Sequence, residues 1–142
     1  MFAVIELMAG YHAGKKATAK ELVEFVSKYV GKYCPKLTGE QVAKKWYDVF
    51  RNGLSHQWSP KFGGVAVDFA QPDVFVFLQV GTEKIPYLIV PKLFCFIKAA
   101  LRDYEADLNS NVALQSNFTK RYEELVSCDR KAMESLRRLC GE

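Results

Sequence analysis

The chain has 142 residues, with 20 Lys and Arg against 16 Asp and Glu, and so a formal charge of +4 with histidine neutral. That length suits a single domain over residues 1–142. Hydrophobic residues at 49% and charged residues at 25% are ordinary globular values and exclude a disordered chain. A charge of this size permits an acidic partner such as RNA without requiring one.

The four cysteines, Cys34, Cys95, Cys128 and Cys140, are too scattered for a disulfide framework. With no Cys-x-x-Cys pair they do not suggest zinc either, and they read as free thiols of a reducing compartment. The apolar start from Phe2 to Met8 is short and interrupted by Glu6, so it reads as neither a signal peptide nor a span. The run from Val74 to Val80 is far below the roughly 20 apolar residues of a membrane helix. The expectation is a soluble, cytoplasmic protein with no membrane partner.

Three helices are expected before the middle of the chain. Phe2, Ile5, Met8 and Ala9 suggest a short one, ended around Gly10 and Gly14. From Thr18, the residues Leu22, Val26, Tyr29, Val30 and Tyr33 recur at amphipathic spacing, and Pro35 stops them. Thr38 with Gln41 reads as a capping box opening a third helix. Its buried stripe is Val42, Trp46, Val49 and Phe50, and Gly53 ends it. His12, between two glycines, is expected in a surface loop with no role.

The period then changes. Val65–Phe69, Val74–Val80 and Ile85–Val90 are β-branched and aromatic runs punctuated by Gly63-Gly64, Gln71-Pro72-Asp73 and Gly81-Thr82-Glu83. They suggest a three-stranded antiparallel β-meander inserted at about 64–90. The middle run is apolar on both faces, one for the helices and one for another surface such as a second subunit. Two helices close the chain. Pro91 starts one with the stripe Leu93, Ile97, Ala100, Leu101, Tyr104 and Leu108, and Asn109-Ser110-Asn111 breaks it. The last carries Phe118, Tyr122, Leu125, Ala132, Leu136 and Leu139 at alternating threes and fours, with Asp129 inside the stripe. The fold class is mainly α, a four- or five-helix bundle with the β insertion.

The chemistry-bearing residues lie where the third helix ends. At 100° per residue, Arg51 falls opposite the Val42, Trp46 and Val49 stripe, with Asp48 and Asn52 on the same polar side. His56 follows just past the helix end, and Trp58 is placed to stack on a base. Lys120, Arg130, Lys131, Arg137 and Arg138 on the last helix read as its solvated face before they read as an RNA track.

Arg51-Asn52-x-x-x-His56 resembles the Arg-x(4–6)-His signature of the HEPN superfamily, whose motif sits at a helix end in a helical bundle. The resemblance covers the motif and the helical framework but not the β insertion. It implies a metal-independent endoribonuclease, a hydrolase of toxin–antitoxin or defence type, in which a ribose 2′-hydroxyl attacks the neighbouring phosphate to leave a 2′,3′-cyclic end. His56 would move protons near neutral pH and Arg51 would hold the phosphate. Asn52 and Asp48 would support them. The site would be composite, formed across a homodimer, with RNA as substrate, a regulatory protein partner and no metal or cofactor. Gln57-Trp58-Ser59-Pro60 stands where family members modified by a nucleotidyltransferase carry tyrosine, which argues against that control. The alternative is a non-catalytic HEPN-like dimer that binds a nucleotide or a protein.

Overall fold

The computed structural model describes residues 2–52 and 63–140, without the side chains of Val42, Phe50, Arg51 and Asn52. Helix α1 (Phe2–Ala13) runs through Gly10 and ends at Gly14, whose φ is +69°. Gly10 is therefore not a breaker. It is buried where an added Cβ would lie 3.0 Å from the Lys15 carbonyl oxygen and 3.4 Å from Arg121 Nε, so its role is close approach. His12 lies in the last turn of this helix, half-buried, and not in a surface loop.

Helix α2 (Ala19–Phe25) opens on a capping box and continues as a wider π-turn over Val26–Val30. The Glu21 carboxylate accepts from the Thr18 backbone N–H at 2.9 Å and from the Thr18 hydroxyl, and pairs with Lys15 Nζ at 2.6 Å. The box expected at Thr38 does not form. The Thr38 hydroxyl donates instead to the Pro35 carbonyl at 2.6 Å, and α3 (Glu40–Trp46) begins after Gly39.

The insertion is a mixed sheet, which corrects the antiparallel meander. Strands β1 (Gly64–Ala66), β2 (Phe75–Val80) and β3 (Glu83–Ile89) lie in the order β1-β3-β2, with β1 parallel and β2 antiparallel to β3. The run expected in the middle is thus an edge strand. A two-residue turn at Gly81 (φ +62°) and Thr82 fixes β2 against β3. The connection from Val67 to Val74 contains Pro72 and an Asx turn, in which Ala70 N–H donates to Asp68 Oδ1 at 2.9 Å. It is too long for a tight hairpin, so β1 takes the other side of β3.

Pro86 shapes that side. Counting back from the two-residue turn, Pro86 and Phe77 form a non-hydrogen-bonded pair, which turns the proline nitrogen away from β2. Strand β1 starts one residue later, with Gly64 opposite Tyr87. A Cβ on Gly64 would fall 2.2 Å from the Tyr87 ring, and only glycine fits that approach.

Helix α4 (Val90–Ser110) carries Pro91 in its first turn, and α5 (Val112–Cys140) follows a single break at Asn111. The Asn111 side-chain oxygen accepts from the N–H of Ala113 at 3.0 Å and of Leu114 at 3.2 Å, which caps α5. The core gathers Ile5 and Ala9 from α1, Leu22, Phe25, Val26 and Tyr29 from α2 and its continuation, Val74 and Leu88 from the sheet region, and Leu93, Ile97, Ala100 and Tyr104 from α4. Helix α5 joins through Leu114 and through Phe118, which stacks on Tyr11 at 4.4 Å between centroids. Its second half leaves the body: every residue from Val126 to Cys140 is exposed. No helix among the described residues is long and apolar enough to cross a membrane.

Candidate functional site

Helix α3 does not keep one geometry along its described length. Past Trp46 it passes into a π-turn, Tyr47–Asn52, of which Arg51 and Asn52 are the last described residues. The i→i+5 turns of that segment are wider than α-helical ones and advance less than 100° per residue, so the α-helical wheel does not apply to Arg51. Trp46 and Val49 are buried as expected. Asp48 is half-buried in the first turn of the segment. His56 and Trp58 lie outside the described residues, as do the side chains of Arg51 and Asn52.

The start of the same turn borders a cleft that the sequence did not disclose. Ala3, Glu6 and Leu7 of α1, Lys16 and Ala17 of the following loop, Tyr47 and Arg121 of α5 enclose about 290 Å³. The Tyr47 hydroxyl donates to Glu6 Oε1 at 3.2 Å. Arg121 is held mostly below the surface, with Nη1 on Glu124 Oε2 at 2.6 Å and a buried Nε that has no hydrogen-bond partner. Two cations, one hydroxyl and one carboxylate therefore face a space of the size that holds a small polar group. Lys16 and Arg121 are 105 positions apart, and sequence spacing carries no signal for such a pair.

A second polar cluster lies at the centre of the bundle. The His12 ring stands edge-on to Tyr29 at 5.7 Å and lies near Phe25 and Tyr104 at 6.1 and 6.2 Å. Burial and the neighbouring Lys28 ammonium hold its pKa below the ordinary histidine value, against the weaker pull of Glu24 and Asp107. The Tyr29 hydroxyl donates to Asp107 Oδ2 at 2.9 Å, and burial together with that carboxylate pushes the phenol pKa well up. Burial also lifts Tyr104 to about 12. Lys28 and Lys32 pair with Asp107 and Asp103 at 3.4 and 2.9 Å, latching the π-turn after α2 to α4. These contacts are those of a structural joint.

Among the described residues no three His, Cys, Asp or Glu side chains gather closely enough to hold a metal ion. Cys34 is buried, and Cys95, Cys128 and Cys140 are exposed free thiols. No family model, curated protein or solved structure matches the chain.

Proposed function

We propose that this chain is a metal-independent endoribonuclease of HEPN type that acts as a homodimer. The observation that carries the reading is the position of the Arg51-Asn52 pair. It lies in the helical segment that continues α3, within a mainly helical fold, and His56 follows four residues after Asn52 in the sequence. The cleft bordered by Glu6, Tyr47, Lys16 and Arg121 lies beside the same turn and offers polar side chains to a substrate group.

In the proposed reaction His56 of one subunit accepts the proton of the ribose 2′-hydroxyl while its oxygen forms a bond to phosphorus. The bond from phosphorus to the 5′-oxygen breaks, and His56 of the other subunit protonates the leaving oxygen. The Arg51 guanidinium holds the non-bridging oxygens as charge builds on them. Asn52 and Asp48 keep that pair in place. The products are a 2′,3′-cyclic phosphate and a 5′-hydroxyl.

The test is cleavage of a mixed RNA panel in EDTA by wild type, Arg51→Ala and His56→Ala. Cleavage with cyclic ends in wild type, reduced at least about 100-fold in both variants with unfolding unchanged, is expected. A folded, dimeric wild type that leaves every RNA intact would favour the second reading, a non-catalytic binding dimer. That reading draws on the apolar surface beside the sheet, where Phe69 and Phe77 are 79% and 60% exposed.

A further inference from the structure

Two helical stretches among the described residues are wound as π-turns, Val26–Val30 after α2 and Tyr47–Asn52 after α3. In the first, the Gly31 N–H donates to the Val26 carbonyl at 2.8 Å, an i→i+5 bond. Such turns are rare and short, and one that persists needs contacts that hold it. Both are tied to another helix in the same way. The Tyr29 hydroxyl of the first donates to Asp107 of α4 at 2.9 Å, and the Tyr47 hydroxyl of the second to Glu6 of α1 at 3.2 Å. The ties span 78 and 41 positions, so packing between helices reaches each wide turn from outside its own sequence.

At Tyr47 a second contact comes from the same face of α1. The Phe2 ring lies 5.1 Å from that of Trp46, the last α-helical residue, and Glu6 stands one turn beyond Phe2. The point where the chain changes from α to π is thus pinned at two consecutive residues. Glu6 and Tyr47 are both half-buried, where a hydroxyl–carboxylate bond is stronger than in water. The change of winding decides where the following residues fall. A loop closed i→i+5 takes one residue more than an α-turn, which displaces Arg51 and Asn52 by roughly 100° around the axis.

We propose that Glu6 and Tyr47 are positioning residues, whose hydrogen bond keeps 47–52 in the wide form and so sets the angular position of Arg51 on the helix. What that position does for RNA rests on the nuclease reading, whereas the tie itself is tested without RNA. The test reads NMR couplings across backbone hydrogen bonds in the isotope-labelled full chain. In wild type the Asn52 N–H is expected to couple to the carbonyl at position 47, and in Tyr47→Phe and Glu6→Ala to the carbonyl at position 48. Glu6→Gln keeps an acceptor oxygen and is expected to keep the wild-type coupling. Tyr29→Phe, which cuts the other tie, is expected to keep it too. A coupling to position 47 that survives in both Tyr47→Phe and Glu6→Ala would overturn the proposal, as would a wild type coupled to position 48. A shift in Tyr29→Phe or Glu6→Gln as large as in Tyr47→Phe would overturn it equally, since the cause would then be general loosening or the charge of Glu6.

Discussion

Glu21 takes the Thr18 backbone N–H, the Thr18 hydroxyl and the Lys15 ammonium on one carboxylate, and the side chain is 8% exposed. Those bonds favour the charged form and hold its pKa down at about 2, against a burial cost that acts the other way. Because the folded value lies below the unfolded 4.5, the stabilisation is complete above pH 4.5 and is lost as pH falls from there towards 2. Glu21→Gln is expected to lower stability in urea near neutral pH by about 1.5–3 kcal/mol and to flatten the acid limb between those two values. An acid limb as steep in the variant as in wild type would exclude Glu21 as its source. The same local pattern, threonine with an acidic or amide residue three positions on, occurs at Thr18 and Thr38 and forms a box only at the first. The difference is the Pro35 carbonyl, which takes the Thr38 hydroxyl, and a pattern of four residues does not contain it.

Elements were legible where their cause is local. Pro91, the stripe from Leu93 to Tyr104 and the break before α5 all sit in the sequence as they sit in the fold. That break depends on Asn111, whose side chain satisfies two N–H groups at the start of a 29-residue helix. Asn111→Ala is expected to cost about 1 kcal/mol in urea unfolding, with Asn111→Asp close to wild type. Equal losses in both variants would mean that the cap is not the reason. Strand order was not legible, because nothing in Val65–Ala66 says which edge of β3 is free. The answer depends on the length of the 67–74 connection and on the proline nitrogen of Pro86 facing away from β2.

Across the whole molecule, His12 shows how far the centre of the bundle escaped a linear reading. Two flanking glycines suggested a loop, yet the ring joins α1 to Phe25 and Tyr29 on one side and Tyr104 on the other. Its pKa is lowered, so the unfolded chain binds a proton more readily than the fold does. Stability is therefore intact above the unfolded value of 6.5 and falls as pH drops below it. Urea midpoints are expected to decline between about pH 7 and 5 in wild type and to stay level there in His12→Gln. A decline shared by both proteins would place the titrating group elsewhere. The candidate site was legible only as a motif, Arg51 with His56. The Lys16 and Arg121 pair needed the helices to be packed before it could be seen.

Strand β2 carries a consequence for how the protein behaves when it opens. Among the described residues its outer edge pairs with no strand, and Phe75–Val80 holds Phe77, Leu78 and Val80 exposed with no charge and no proline. Such an edge is a template for intermolecular strand addition. Once heat loosens the helices, chains that meet along this edge will aggregate faster than they refold. A thermal midpoint then depends on scan rate and protein concentration, while reversible denaturant titration at low concentration reports the equilibrium.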